Sequence, residues 1–546
     1  MIRIFRFLAR GRIAIMAAAI VAAVINGAAG ASLIFVIQGA LAGRFAPGPS
    51  GPAWFAGLCV LVLVTHLVAQ FLVVRAAERA ACDLRLALSS AILTAPLRTV
   101  EEVGSPRLLV ALTEDVQALS TMLAEIPGLC MNVAAVAACL GYFAFLSGDV
   151  LVAVMVFMIA GNIAYHAPLL VALRYLDDAR RHQSTLFGHY RDLTAGCKEL
   201  KLNAGRREAF LSGALTPTAE AVRRASVAGL TLFSCVTTWG RLLYLIFIGL
   251  ILFVLARVRP ISPEGLTGAV LTGLYLMGPL AMALQTLPIL GRAHAALEAL
   301  ERLGLSLSAG TSEPRRVARL PRRHWSSLRL DAVTHAYRGE DGQEGFVLGP
   351  VDLELRPGEI VFLTGGNGSG KTTLAKLLVG LYIPDSGRVV LDGRDVAAVD
   401  ADEYRQHFSA VFADFHLFNS LAGLDGDDSE AEARQYLDVL GLGDRVRINA
   451  GAFSSTTLSQ GQRKRLALLV ACLEHRPIFV FDEWAADQDS RYRALFYERL
   501  LPELRARGKT VVAVTHDERY HHHADRIVRL DYGRVIAIES PALPAV

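Results

Sequence analysis

The chain has 546 residues, 53% of them hydrophobic and 19% charged, with a net charge of +4. That length exceeds a single core, and at about 150 residues per unit three or four units are expected. The mild positive charge argues against a nucleic-acid surface. Cys59, Cys82, Cys130, Cys139, Cys197, Cys235 and Cys472 are scattered without a C-x-x-C pair, which argues against a disulfide framework or a cysteine metal site.

Arg3, Arg6, Arg10 and Arg12 precede an apolar run from about Ile13 to Leu41. A basic start before an apolar stretch also fits a signal peptide. This run is too long for the apolar core of a signal, and further runs follow, so it reads as a first membrane helix. A bilayer crossing takes about 20 apolar residues. Five more runs meet that length: Trp54–Val74, Ile126–Leu146, Val150–Leu170, Leu232–Leu255 and Leu266–Leu290. Short turns fall near residues 42–53, 147–149 and 259–263, and they alternate with long, charged connections near 75–125 and 171–231. Arginine is concentrated at the N-terminus and in the long connections, which places both on the cytoplasmic side. Arg257 and Arg259 run against that pattern. The reading is a cytoplasmic-membrane protein, surrounded by lipid, with six spans and both termini inside. Each long connection contains a break suited to a short transverse helix, near Pro96–Gly104 and near Lys198–Arg206.

Polar side chains are costly inside a bilayer and are therefore functional candidates. The spans hold Asn26, Gln38, His66, Gln70, Asn132, Asn162, His166, Arg241 and Gln285, and no interior Asp or Glu. Hydrogen bonding between helices is the favoured account of the amides. His66 and His166 stay open between packing and a cargo cavity. Arg241 lies mid-span, where a cavity role competes with snorkelling to the interface.

Residues 1–302 thus form a membrane domain, and the polar, Gly- and Pro-containing stretch 303–325 a linker. A nucleotide domain, 326–546, follows. Leu328–Tyr337 and Val347–Leu355 are expected as strands, with Tyr337 placed to stack on a base. Gly365, Gly366, Asn367, Gly368, Ser369, Gly370, Lys371 and Thr372 form a phosphate-binding loop, G-x-x-x-x-G-K-[ST]. Its backbone N–H groups surround phosphate oxygens, Lys371 reaches the outer phosphates, and Thr372 is a Mg²⁺ ligand. Thr373 opens the following helix, whose N-terminus favours the same anion. Pro477–Glu483 is an apolar strand ending in two carboxylates. Asp482 suits Mg²⁺, and Glu483 suits the base that polarises the attacking water.

Ser459, Gln460, Gly461 and Gln462 stand in Leu458-Ser459-Gln460-Gly461-Gln462, which resembles the L-S-G-G-Q signature of ATP-binding cassette (ABC) proteins. With the phosphate loop, the acidic strand and a later strand ending Val514-Thr515-His516, it completes the order of motifs in that family. The resemblance implies that His516 is the switch histidine. It also implies that the serine and N–H groups of one signature close on the ATP of a second copy. Asp482-Glu483-Trp484-Ala485-Ala486-Asp487-Gln488-Asp489 replaces the commoner D-E-A-T-S-A-L-D. With Val411–Phe418 and Glu199-Leu200-Lys201-Leu202-Asn203, it resembles one branch, the exporters of cyclic peptides, lipopeptides, siderophores and a lasso microcin. Most ABC proteins carry glutamine where Ala413 stands; Asp414 or a water is the candidate replacement at the metal. His521-His522-His523 reads as a solvated helix start, since three consecutive side chains diverge.

The expected architecture is an all-α six-helix membrane domain followed by an α/β phosphate-loop domain. The expected activity is ATP hydrolysis coupled to export of a peptide-like compound by a homodimer, with ATP and Mg²⁺. A lipid or drug flippase of the same fold is the alternative, and a siderophore importer a further one. No N-terminal Cys/His protease domain of a processing exporter is expected, and the spans argue against a soluble regulatory ATPase.

Overall fold

A computed structural model describes residues 13–41, 43, 50–146, 148–255, 257, 262–303, 325–338, 344–398, 401–421, 423, 429–449 and 451–541. The basic segment 1–12, most of the turn before residue 50, Arg259 and its neighbours, and linker residues 304–324 lie outside the described residues. The chain divides into two compact units, Met1–Leu93 with Pro106–Thr311 and Thr94–Ser105 with Ser312–Val546.

Six helices of the first unit are long and apolar enough to cross a membrane: α1 (Ile13–Leu41), α2 (Ser50–Thr94), α4 (Ser105–Leu146), α5 (Gly148–Ala195), α7 (Ala204–Val254) and α8 (Pro263–Arg302). At 1.5 Å per residue, a helix the length of α5 covers about 70 Å. The hydrocarbon core takes only about 30 Å of that, so the long connections of the sequence are continuations of the membrane helices. Between α2 and α4 lies α3 (Leu97–Val103), bounded by Pro96 and by Gly104 at φ 79°. Proline cannot extend the preceding helix, and glycine takes the left-handed turn cheaply. Between α5 and α7 lies α6 (Cys197–Leu202), after which the Asn203 side chain accepts from the Arg206 N–H and starts α7. The segment holding α3 belongs to the second unit and α6 to the first.

Helices α1, α4 and α8 pack on one another, and α5 packs along α7. Glycine permits the closest approaches. A Cβ on Gly27 would lie 2.3 Å from the Met131 carbonyl oxygen, and one on Gly268 would lie 1.9 Å from the Tyr142 hydroxyl. Two of the amides found in the spans tie helices together. Asn26 donates to Val62 O at 2.6 Å and to Thr65 Oγ1 at 3.0 Å. Gln38 accepts from Tyr142 at 3.0 Å and donates to Glu264 O at 2.9 Å, so one side chain joins α1, α4 and α8. Asn132 is also buried, whereas Gln70, Asn162 and Gln285 are exposed. All seven cysteines are free.

The second unit has a four-stranded antiparallel sheet in the order β2-β1-β4-β5, formed by β1 (Leu328–Arg338), β2 (Glu344–Leu355), β4 (Ser386–Leu391) and β5 (Arg394–Asp395). A six-stranded sheet runs β12-β11-β3-β10-β9-β6. Its members are β3 (Ile360–Gly365), β6 (Phe408–Val411), β9 (Ile478–Asp482), β10 (Thr510–Val514), β11 (Arg526–Asp531) and β12 (Arg534–Glu539). All but β12 are parallel, and β3, β9 and β10 are apolar and buried on both faces, as a covered parallel sheet requires. The small strands β7 (Ile448–Asn449) and β8 (Ala452–Phe453) pair separately. Trp325 already packs in the core beneath the antiparallel sheet.

Candidate ATP site

Strand β3 delivers the phosphate loop, and α9 (Lys371–Leu378) leaves it. Gly365, Gly368 and Gly370 have φ of 146°, 74° and 100°. Side chains rarely adopt such angles. A Cβ on Gly365 would also meet the Leu530 carbonyl oxygen at 2.1 Å. Lys371 is buried and donates to the carbonyl oxygens of Gly365 at 3.0 Å and Gly366 at 2.8 Å. Its ammonium is therefore held inside the loop by backbone acceptors. Burial lowers the lysine pKa, against the pull of Glu483 and Asp482. Gly366 and Asn367 are at the loop tip, and a Cβ on Gly366 would meet nothing. Ser369 is buried, and its hydroxyl has no partner.

Strand β9 lies two places away, beyond β10, and brings its carboxylates to the same end of the sheet. Thr372 Oγ1 donates to Asp482 Oδ2 at 3.0 Å. Asp482 is buried, and its Oδ1 has no partner. Burial raises its pKa, with the Thr372 hydrogen bond opposing the rise. A buried carboxylate oxygen left open beside a threonine hydroxyl suits a hard cation that takes oxygen ligands. Ala413 stands in the loop after β6, and its backbone N–H helps to lower the Asp482 pKa; Asp414 is exposed, and its charge raises it. Glu483, next in the chain, adopts a left-handed φ of 51°. His516, beyond β10, places Nε2 3.2 Å from Glu483 Oε1. Strain of this kind costs about 1–2 kcal/mol and is kept where surrounding contacts over-determine it.

Those contacts come from the signature helix α10 (Gln460–Leu473). Ser459 caps it in a capping box with Gln462, accepting the Gln462 N–H while the Gln462 side chain accepts the Ser459 N–H. Lys464 is buried and donates to the Glu483 carbonyl oxygen at 2.9 Å. Trp484, also buried, donates from its indole to the Lys464 carbonyl oxygen at 2.8 Å. Gln488 donates to Gly461 O at 3.0 Å. Residues that depart from D-E-A-T-S-A-L-D therefore touch the first turns of the signature helix. Lys464, Trp484 and Gln488 escaped the sequence reading as site residues. The departures themselves were the available signal, because Gln460 and Lys464 share one helix face.

Tyr337 is 39% exposed at the end of β1, with its hydroxyl 3.1 Å from Thr373 Oγ1. It also donates to Tyr382 at 3.4 Å, and Tyr382 donates to Glu101 of α3. Lys376 pairs with Glu101 at 2.8 Å and Arg98 with Asp385 at 3.3 Å, so α3 is fixed by charge within the second unit. Burial, with the Glu101 contact second, drives the Tyr382 pKa up. The three histidines lie on a short helix, Glu518–His523, and among the described residues no three His, Cys, Asp or Glu side chains come together in a metal-binding group.

The cargo candidates belong to the first unit. Arg241 and His66 are exposed, and His166 is half-buried with its ring edge-on to Tyr165. A Cβ on Gly240 would touch the Tyr165 ring at 3.0 Å, so Arg241 and His166 flank one α5–α7 contact. His66 sits on α2.

A phosphate loop, an acidic strand end and a signature helix in one α/β unit, with six membrane helices in the other, define an ATP-driven membrane transporter. Comparison with known proteins agrees: residues 348–486 match the ABC transporter family and residues 15–167 the ABC transporter transmembrane region. The ATP-binding protein SyrD of Pseudomonas syringae pv. syringae is 38% identical over 494 residues, 89% of this chain and 87% of that protein. An ATP-dependent lipid A-core flippase of Alkalilimnicola ehrlichii is 28% identical over 95% of this chain and 90% of its own. The solved structure of a bacterial Atm1-family ABC exporter with ATP bound superposes with a TM-score of 0.72, at 18% identity, over 97% of this chain and 96% of that one. The chain belongs to the ABC transporter family, as an exporter-type half-transporter. It is a multi-pass inner-membrane protein whose cytoplasmic domain hydrolyses ATP to drive transport.

Proposed function

We propose that two copies of this chain export a peptide-like compound, such as a cyclic peptide, lipopeptide, siderophore or siderophore precursor, by alternating access. One observation supports the cargo class: the block Asp482–Asp489, which departs from the common motif at every position from Trp484 to Gln488, resembles that of the peptide-exporter branch. The contacts of those residues with α10 make the block one structural feature. The second reading, lipid flipping, is favoured by the likeness to a lipid A-core flippase over 95% of the chain.

In the proposed cycle the loop Gly365–Thr372 holds the phosphates, and Lys371 exchanges its backbone acceptors for phosphate oxygens. Tyr337 offers its exposed ring to the base, and Thr373 holds the Tyr337 hydroxyl. Thr372 and Asp482 are the residues that would hold Mg²⁺, with Asp414 nearby. Bound there, the ion neutralises phosphate charge. Glu483 polarises the attacking water and takes its proton, and His516 orients that carboxylate. One protomer carries only half of each closed site, because Ser459 and the free N–H groups of α10 need a facing phosphate. A two-fold homodimer follows. ATP closes it and turns the cavity outward, and hydrolysis resets it.

The full chain in lipid nanodiscs tests both parts. Glu483→Gln is expected to keep ATP bound while turnover falls by about 10²–10⁴-fold. Wild-type turnover in that variant removes Glu483 from the role. Stimulation of wild-type ATPase activity by a cyclic lipopeptide or siderophore, and not by lipid A, is the expected cargo result. The reverse pattern gives the protein to the lipid reading.

A further inference from the structure

Where the family signature has glycine, this chain has Gln460, the first residue of α10. In the proposed closed dimer, on which this inference rests, that end of the helix faces a phosphate. A glutamine side chain there occupies space that glycine leaves open. The structure shows where the side chain goes: Gln460 Nε2 donates to Asp487 Oδ2 at 3.2 Å. The same oxygen lies 2.7 Å from Lys464 Nζ, and Lys464 is anchored to the Glu483 carbonyl oxygen. Gly461 has no room for a side chain of its own, since a Cβ would lie 2.9 Å from the Asp487 carbonyl oxygen. Asp487 stands where D-E-A-T-S-A-L-D has alanine, so a departure in the signature meets a departure beyond the acidic strand.

We propose that Asp487 is a positioning residue that draws the Gln460 side chain aside and keeps the Ser459 end of the signature helix open to the facing phosphate. The two departures form a pair: glutamine is tolerated at 460 because an acid at 487, fixed by Lys464, holds it. Through Lys464 the same carboxylate also ties the open signature to the backbone of Glu483. A charge-assisted hydrogen bond is about twice as strong as a neutral one, enough to decide the side chain's direction.

The test uses the full chain in nanodiscs and reads ATP retained after rapid gel filtration in a Glu483→Gln background. Glu483→Gln alone is expected to retain ATP. Adding Asp487→Asn is expected to cut retention about tenfold, as loss of a hydrogen bond to a charged group allows. Adding Gln460→Gly to that pair is expected to restore it. Gln460→Leu tests the same point with the Lys464–Asp487 pair intact: it keeps the bulk, loses the tether, and is expected to lower retention similarly. This variant also decides the matter if Asp487→Asn folds poorly. Full retention with Gln460→Leu, or no rescue by Gln460→Gly, overturns the role of Asp487 while the closed-dimer reading stands. No retention by Glu483→Gln alone overturns that reading, and this inference with it.

Discussion

The two units handle their polar residues in opposite ways. In the nucleotide unit the buried charged groups at the site are held: Lys371 by two carbonyl oxygens, Asp482 by Thr372, and Lys464 by Asp487 and Glu483. In the membrane unit the buried polar groups Asn26 and Gln38 are tied to neighbouring helices, and the residues proposed for cargo, Arg241 and His66, are exposed. A chemical step common to a whole family needs fixed atoms, because misplacement by about 1 Å is costly. In the proposed homodimer a second copy completes the cargo surface, so one chain leaves it open.

Breaking a held group should have the largest effect. Lys371→Ala removes the charge that meets the outer phosphates, and a loss of about 10²–10³-fold in kcat/KM for ATP is expected. Because Lys371 bonds only within its own loop, the thermal unfolding of the membrane helices should not change. A turnover loss below tenfold would mean that the backbone N–H groups of the loop carry the binding.

Breaking the packing of the membrane unit comes next. Gly268→Leu forces a side chain against Tyr142 and Gln38, which join α1, α4 and α8. Overpacking of this kind costs about 1–3 kcal/mol. A lowered unfolding temperature and weakened transport are expected, with nucleotide still bound. Unaltered stability would show that these helices can part locally.

Most of the nucleotide unit was legible in the sequence because its motifs are short and continuous, and strand and helix follow directly from them. Gly365–Thr372 needs a strand before it and a helix after it, and β3 and α9 are there. The breaks at Pro96–Gly104 and Lys198–Arg206 likewise foretold α3 and α6, since proline and glycine act locally. The partners in the tie between α10 and residues 483–488 are not set by any motif, because single side chains join segments 19 to 27 residues apart, mostly to backbone oxygens. The chain Tyr337–Tyr382–Glu101 was hidden for the same reason: Glu101 lies 281 residues from Tyr382. In the spans, composition marked nine polar residues, but only packing separates Gln38, which bonds two helices, from exposed Gln70.

A third test addresses the open side of the comparison. Arg241 is exposed beside the α5–α7 contact, and a charge in a span is tolerated chiefly where it faces protein or water. In a homodimer two such arginines would share one cavity and favour anionic or neutral cargo over cations. Arg241→Ala is expected to remove cargo stimulation of the ATPase and to stop transport. An Arg241→Cys variant without the seven native cysteines should react with a water-soluble thiol reagent. Normal export by the alanine variant, with no labelling of the cysteine, would make Arg241 a snorkelling residue and leave the charge of the cargo open.

The smallest expected effect concerns the metal end of the nucleotide site, where the pattern of held groups has one gap. Ala413 acts on Asp482 through its backbone N–H alone, and its methyl group can ligate nothing, so the side chain that most ABC proteins place there is missing. Asp414 is the next residue, is exposed, and already acts on Asp482 through its charge. An exposed carboxylate holds a nearby cation only weakly, because solvent and salt screen it. Asp414→Ala should therefore raise the Mg²⁺ concentration for half-maximal hydrolysis by about fivefold, near 1 kcal/mol, and leave ATP affinity little changed. Removing a negative charge can only weaken a cation's hold, so the shift has one permitted direction. If a water fills the gap, the Mg²⁺ titration of Asp414→Ala will superimpose on the wild type and Ala413→Gln will be tolerated. A superimposed curve ends the case for Asp414 and makes this the one point in the site that solvent holds open.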